Sequence, residues 1–172
     1  MPKTLADGKR KIVLLSSTPA DVDAITVAEA TAGTDVSDFV LATSNINQPS
    51  GSDTIAEKVW SSQGNAESFG PSNFSGNYLI IHRYMDETTK QADPTDDATW
   101  ESVKVKGTTI RPLTRLNGKD SDEALATDDE YRYVEYTTDD PIDESGEGYE
   151  KYRIPLAYSG VSSLDNVIVA GA

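Results

Sequence analysis

The strongest strand pattern in the chain is the run from Asn77 to Met85, with the sequence NYLIIHRYM. Apolar residues occupy neighbouring positions in this run, so we expect both faces of the strand to be covered. It therefore predicts a central strand of a β-sheet. Only 37% of the 172 residues are hydrophobic, which suits a thin, two-layer β-structure or a subunit with large wet surfaces.

Shorter strand patterns are spread over the rest of the chain, at 10–16, 22–41, 103–116, 131–138, 152–158 and 167–169. Asn117-Gly118 predicts a tight hairpin turn, and Pro155 predicts an edge strand or a bulge. Together the patterns predict a mainly β fold. We expect a β-sandwich or open barrel of about eight strands with one short α-helix packed on it. No linker marks a second domain, so 1–172 is expected to be a single domain.

Two segments have helical patterns. Residues 27–32 predict a single helical turn, stopped by the glycine that follows. Residues 93–103 predict the short packed helix, with Thr95 as its cap and acidic residues in its first turn. Trp100 and Val103 share the face of this helix that we expect to be buried.

Residues 42–76 are rich in Ser, Asn, Gly, Gln and Pro and contain one apolar island, Ile55 to Trp60. If this island is a strand, each of its two faces carries both apolar and polar side chains. Such a pattern suits a hairpin arm better than a core strand. We expect 42–76 to be a long polar loop or arm.

The negative charge is concentrated in one segment. The chain has a net charge of -14, and residues 120–150 hold 13 acidic residues against a single base, Arg132. Nucleic-acid binding takes its affinity from Lys and Arg that neutralise phosphates. Tight or sequence-specific DNA binding is therefore disfavoured, and the acidic segment alone is equally consistent with a solvated loop region.

No catalytic motif is found. The sequence lacks a Gly-x-Ser-x-Gly elbow and the phosphate-binding loops Gly-x-x-x-x-Gly-Lys-Ser/Thr and Gly-x-Gly-x-x-Gly. The single histidine, His82, lies within the strongest strand and is expected in the core or at an interface. We expect no enzymatic activity and no cofactor, although a carboxylate pair for glycoside hydrolysis is defined by spatial separation and stays open.

Two acidic groups are candidate calcium sites, because Ca²⁺ takes clustered oxygen ligands. Neither has EF-hand spacing, and adjacent acids on loops are usually solvated, so we expect no metal site. There is no cysteine to bind a metal or form a disulfide. The groups are Asn117, Asp120, Asp122 and Glu123, and Asp139, Asp140, Asp143 and Glu144.

The basic N-terminal residues precede only four apolar residues, 12–15, fewer than the roughly 7 of a secretory signal. No run approaches the ~20 apolar residues of a membrane span. We expect no leader and no membrane insertion, and a chain that folds in a cytoplasm.

Residues 24–40, AITVAEATAGTDVSDFV, resemble the N-terminal signature of major tail tube proteins of long-tailed, siphovirus-type phages, especially those of actinobacteria. The Lys-Gly-Thr strand start at 106–108 and the closing segment 152–169 also resemble that family. The likeness covers most of the chain. Asp38 and the acidity of 120–150 depart from the family pattern, which affects the subfamily rather than the fold or role.

The resemblance implies a virion structural protein, assembled in the host cytoplasm. Its copies would form hexameric rings that stack into the tail tube, a conduit for DNA ejection. Partners would be other copies, the tape measure, the tail terminator and baseplate or distal tail proteins, while phage DNA passes without specific binding. The implied inter-ring arm comprises Ile55, Glu57, Lys58, Val59 and Trp60. The candidate acids that line the lumen are Asp128, Asp129, Glu130, Glu135, Asp139 and Asp140.

Two other classes stay open. One is a head-tail joining or tail terminator ring protein of related fold, which forms one ring and does not polymerise. The other is a secreted, calcium-dependent β-sandwich binding module, which the expected lack of a leader disfavours.

Overall fold

The computed structural model describes residues 5–56, 60, 67–93 and 95–171. Within these ranges the chain is mainly β, which confirms the predicted fold class. The helices are α1 (Val27–Thr31) and α2 (Ala98–Val103). The strands are β1 (Lys11–Leu14), β2 (Thr34–Asp35), β3 (Gly51–Ala56), β4 (Glu67–Asn73), β5 (Asn77–His82), β6 (Thr109–Ile110), β7 (Pro112–Arg115), β8 (Glu130–Thr138), β9 (Ile142–Asp143) and β10 (Lys151–Val167).

Eight of these strands form one antiparallel sheet, in the order β2-β1-β7-β8-β10-β5. The two remaining members extend it, because β6 pairs with β8 and β9 pairs with β10. The register between β8 and β10 shifts twice, between Tyr158 and Ser162 and between Ser163 and Asn166. Bulges of this kind bend a strand and increase its twist. A strand of 17 residues can therefore curve with the sheet.

A single covering segment, residues 34–45, contacts both ends of this sheet. It begins as β2 beside β1 and then runs along the outer edge of β5. There the Leu41 N–H donates to the Ile80 carbonyl at 2.9 Å, and Asn45 and Tyr78 exchange backbone hydrogen bonds of 3.1 and 2.7 Å. The segment closes the sheet towards an open barrel.

The prediction that the strongest strand is central was wrong, since β5 is the last strand of the sheet. Its apolar pattern has a different cause. The covering segment shields its outer edge, and Leu79, Ile80 and Ile81 are all buried.

The sheet has an apolar core on each face. Strand alternation divides the side chains, so that Val134 and Tyr136 of β8 point to one core while Tyr131 and Tyr133 point to the other. The barrel-side core contains Ile46, Phe74, Leu79, Ile81, Trp100, Val103, Ile110, Val134, Tyr136, Ile154 and Leu156. The opposite core, which includes Ala30 of α1, contains Val13, Leu15, Ile25, Ala30, Leu113, Leu125, Tyr131, Tyr133 and Ile168.

Helix α1 lies where the sequence predicts a helical turn. Thr26 and Glu29 form a capping box, in which each side chain accepts a hydrogen bond from the other residue's backbone N–H. The following Gly33 lies against β1. A Cβ at this glycine would lie 2.5 Å from Val13 Cγ1 and 2.7 Å from the Leu14 carbonyl oxygen.

Helix α2 buries Trp100 and Val103 as predicted, but Thr95 does not cap it. The helix begins at Ala98, because the residues before it form a separate turn around Asp93. The Asp93 carboxylate accepts the N–H groups of Thr95 and Asp96, at 2.8 and 3.1 Å. The backbone at Thr95 is therefore committed to a turn rather than to the helix start.

The predicted tight turn at Asn117-Gly118 is also absent, because residues 116–129 form a long connection between β7 and β8. The fully buried Arg115 side chain organises it. This guanidinium donates to the carbonyl groups of Glu123, at 2.9 Å, and of Asp120. The loop wraps around one buried cation, a long-range requirement that outweighs the local turn preference.

Candidate functional site

Strands β3 and β4 form a separate two-stranded sheet that stands apart from the large one. Its base is held by Ser50, whose N–H donates to the Asn73 carbonyl at 2.7 Å and whose hydroxyl accepts the Ser75 N–H at 3.1 Å. Most residues of β3 are exposed. The hairpin therefore projects from the body instead of packing in the core. We call this hairpin, residues 51–73, the arm.

The arm carries apolar side chains that the subunit leaves exposed. Phe69 is 85% exposed and Ile55 is 46% exposed. Ile55 lies opposite Ser68 and Phe69 lies opposite Thr54, so the two apolar residues are on different faces of the ribbon. Large apolar side chains that stay exposed on a projecting ribbon are available for contact with another chain.

The sequence located this arm only in part. Of its candidate residues, Ile55 and Trp60 are exposed, whereas Glu57, Lys58 and Val59 lie outside the described residues. Phe69 was missed, although an aromatic residue within a polar stretch could have indicated it.

The start of the predicted loop 42–76 is not part of the projection. Asn47 is fully buried, at a positive φ of 54°. Its amide group donates to the Pro112 carbonyl at 2.8 Å, the Thr114 hydroxyl at 3.0 Å and the Arg132 carbonyl at 2.9 Å. These bonds tie the chain to the sheet between the covering segment and the arm.

The six candidate acids are not brought together. Asp128 and Glu130 lie at the start of β8, and Asp139 and Asp140 lie beyond its end. All four are exposed. Because a strand rises about 3.3 Å per residue, the nine residues of β8 separate the two pairs by about 30 Å.

The other two acids lie inside the subunit. Asp129 is only 1% exposed, where its carboxylate accepts the Ala126 N–H at 2.9 Å and pairs with Lys119. Glu135 is half-buried and pairs with Arg111 at 3.1 Å. The Asp129 carboxylate is therefore buried and paired, and it cannot line a lumen as the sequence analysis expected.

Hydrogen bonds and charges shift the pKa of the acids on the loops. Hydrogen bonds from Lys106 and from the Asp140 N–H, with the Lys106 charge, lower the pKa of Asp139. Burial raises the pKa of Asp129, but hydrogen bonds from Lys119 and the Ala126 N–H and the Lys119 charge outweigh it, so the net shift is downward. Both carboxyl groups are ionised at neutral pH.

Among the residues that the structure describes, no group of three or more His, Cys, Asp and Glu is placed to hold a metal. Side chains from the two acidic groups instead meet cations, as Asp120 pairs with Lys9 and Glu144 with Arg153. His82 packs edge-on against Tyr149, with ring centroids 5.6 Å apart. Across the same described part of the chain, no helix is long and apolar enough to cross a membrane.

The strand edges of the large sheet that have no strand partner within the described residues include the following two. One is the outer edge of β2, at the end of the sheet. The other belongs to β10. Leu156 pairs with β8 on one side and β5 on the other, but beyond Leu156 only the β8 side is paired. Unpaired edges of this kind can accept a strand from another chain.

Comparison with known proteins agrees with the sequence pattern. A family model described as phage tail tube protein matches residues 1–171. No curated protein matches the chain.

Proposed function

The chain belongs to the phage tail tube protein family, a structural component of the virion tail, and from that premise we propose that its copies form hexameric rings that stack into a hollow tube. The family match over residues 1–171 is the observation that carries this proposal. The tube would serve as the conduit for genome delivery. A structural family also points to a protein without enzymatic activity.

The two open strand edges support ring formation. A row of unpaired backbone groups invites pairing with another chain, and β2 and the far half of β10 each present such a row. In a ring, the β10 edge of one copy would pair with the β2 edge of the next. This contact joins different surfaces of identical subunits, so it repeats around the ring until the rotation closes.

The arm supports stacking of rings. Phe69 and Trp60 would remain in water in an isolated subunit, and burial of a large apolar side chain is worth about 1.5–3 kcal/mol. We propose that the chain is a single domain, 1–172, whose arm contacts the adjacent ring. Ile55 and Trp60 belong to this contact.

We propose that the exposed acids Asp128, Glu130, Asp139 and Asp140 face the bore. A protein attracts DNA through Lys and Arg side chains that neutralise phosphates. Each copy of this chain instead has a net charge of -14. Like charges on the wall would keep the genome from adhering as it passes. Phage DNA would then move through without specific binding.

Membership of the family also suggests the type of phage, its host and the partner proteins of the tube. We propose a long-tailed, siphovirus-type phage of an actinobacterial host, with assembly in the host cytoplasm. The ends of the tube would contact terminator and baseplate or distal tail proteins, and the lumen would hold the tape measure during assembly.

Negative-stain electron microscopy of the purified chain at low and high concentration tests this function. We expect hollow tubes or stacked rings at high concentration. Single closed rings at every concentration would support a joining or terminator protein instead. A monomer at every concentration, including after addition of purified tail tips as initiators, would contradict self-assembly into a tube.

A further inference from the structure

A cavity of about 600 Å³ is lined both by the sheet and by the covering segment. The sheet contributes a row of residues in register on neighbouring strands, Ile12 of β1, Thr114 of β7 and Arg132 of β8. The covering segment contributes the apolar residues Val40 and Leu41. Ligand sites often lie in the mouths of β-barrels, and a volume of about 300–1,000 Å³ is typical of them. We call this cavity the mouth cavity.

A buried amide in the wall of the mouth cavity lacks one hydrogen bond. Asn47 lines the cavity and is fully buried. The orientation of its amide is fixed, because the Pro112 and Arg132 carbonyl groups that contact Nδ2 can only accept hydrogen bonds. The other amide atom, Oδ1, is shielded from solvent and has no hydrogen-bond partner among the described residues. Buried polar atoms are nearly always paired, so a bound group that carries an N–H or O–H would satisfy this oxygen.

The rim of the mouth cavity is basic, although the chain has 29 acidic residues against 15 Lys and Arg. A second cavity of about 310 Å³ shares Arg10 and Arg132 with the first and adds Lys9. Of the described residues that line either cavity, Asp7 alone is acidic. Lys9 and Arg132 each pair with a carboxylate, whereas the exposed Arg10 has no ion-pair partner in the described part of the chain. The Arg10 guanidinium is therefore available to an anionic ligand.

Arg10 and Asn47 are close enough to hold one small ligand. The Thr114 hydroxyl accepts the Asn47 amide at 3.0 Å, and Thr114 is paired with Ile12. Arg10 precedes Ile12 by two residues, which is about 7 Å along an extended chain. The long Arg10 side chain can cover part of this distance. In an N-acyl amino acid the amide N–H and the carboxylate are attached to the same carbon atom, so one such molecule can contact both side chains.

We propose that the mouth cavity binds a carboxylate that is flanked by an amide N–H and an apolar side chain. This is the chemistry of a free N-acyl amino acid and of a peptide C-terminus. Arg10 holds the carboxylate, Asn47 Oδ1 accepts the amide N–H, and Val40 and Ile46 contact the apolar side chain. Capture of a terminal carboxylate is a recurring mode of peptide recognition. The inference goes beyond the tube function and does not depend on it.

Matched small ligands test the site on the purified full-length chain. The probe is N-acetyl-leucine, and ligand-observed saturation-transfer NMR measures its affinity for subunits and tubes alike. N-acetyl-leucine amide lacks the carboxylate, and N-acetyl-N-methyl-leucine lacks the N–H. We expect the probe to bind about tenfold more tightly than either analogue, because each analogue loses one hydrogen bond to a charged or buried partner.

A substitution at the rim gives an independent readout. Arg10→Gln should weaken binding of N-acetyl-leucine about tenfold and remove its advantage over the amide, because the charge-assisted hydrogen bond is lost. Lys90→Gln is the matched control, since it makes the same charge change at an exposed position outside both cavities and should leave the affinity unchanged. Equal thermal unfolding of the two variants would show that the fold is retained.

A second comparison distinguishes the two sources of this chemistry. Acetyl-Gly-Gly-Gly-Leu has the same terminal residue as the probe, preceded by a short peptide. Tighter binding of this peptide than of N-acetyl-leucine would identify a chain terminus as the ligand. Weaker binding of the peptide would identify a free small molecule.

Four results would overturn the proposal. They are no detectable binding of N-acetyl-leucine, equal affinity for the probe and either analogue, unchanged affinity in Arg10→Gln, and displacement of the probe by inorganic phosphate at an equal concentration, which would indicate an unspecific anion site. None of them would affect the tube function, which electron microscopy tests separately.

Discussion

Arg83 holds Asp97 through a two-pronged ion pair inside the subunit. The Arg83 Nη2 atom lies 2.8 Å from Asp97 Oδ2, and Nε lies 3.0 Å from the same oxygen. The guanidinium also stacks over Trp100, 4.5 Å from the ring centroid. The Tyr84 N–H donates to the same carboxylate at 3.1 Å. One buried carboxylate thus joins the end of β5 to the start of α2.

Asp97→Ala should strongly destabilise the subunit. It leaves Arg83 with a largely buried, unpaired charge, and removal of one partner of such a pair costs about 3–5 kcal/mol. Urea unfolding followed by tryptophan fluorescence measures the change. Lys106→Ala, which removes an exposed ion-pair partner, is the control and should leave the midpoint nearly unchanged. Equal midpoints for the two variants would contradict this assignment.

Gly33→Ala should destabilise the subunit by about 1–3 kcal/mol, the usual range for an overpacked site. The added methyl group would approach the Leu14 carbonyl oxygen to 2.7 Å, and the backbone would have to move. Gly146→Ala is the matched control, because no atom lies within 4 Å of a Cβ built there. Thermal unfolding of both variants measures the difference, and a Gly33 variant as stable as the Gly146 variant would refute the close approach.

Acid should unfold the subunit partly through Asp129. Folding lowers the pKa of this carboxyl from its ordinary value of 3.8. Its contribution to stability is therefore complete above that value and is lost as the pH falls through the folded-state pKa. Unfolding midpoints measured between pH 7 and pH 2 should decline below about pH 4.

Asp129→Asn isolates this contribution. The variant should be less stable at pH 7, since Arg115 and Lys119 lose their carboxylate partner, and its midpoint should fall less steeply in acid. Asp122→Asn makes the same charge change at an exposed position. If both variants follow the same pH profile, Asp129 does not carry the effect.

Reversal of the proposed lumen charges should make the tube retain DNA. A variant with Glu130→Lys and Asp140→Lys places positively charged side chains at the proposed wall of the bore. Assembled tubes of this variant should then bind short duplex DNA. Binding should weaken steeply with salt, as expected for phosphate contacts. A filter-binding assay at several salt concentrations measures it.

The control for this experiment carries Glu87→Lys and Asp96→Lys, an equal charge change at exposed positions outside the proposed lumen. The control tubes should bind less DNA. Equal binding by both variants would show that net charge, rather than position in the bore, controls the interaction.

The sequence alone determined the class of fold and several local elements. Alternation and apolar runs located β5, β8 and the first part of β10, because the periodicity of a strand is visible in neighbouring residues. The buried face of α2, with Trp100 and Val103, followed from helical spacing in the same way. The mixed polarity of the Ile55 to Trp60 island indicated a hairpin arm before any contact was known.

Only the tertiary structure decided which edges and charges are satisfied. In the folded chain, β5 lies at the end of the sheet beside the covering segment, and Asp129 is buried. A long loop around Arg115 replaces the expected tight turn at Asn117-Gly118. Each of these outcomes depends on partners far apart in the chain, and hydrogen bonding and desolvation act on the assembled neighbours rather than on local sequence.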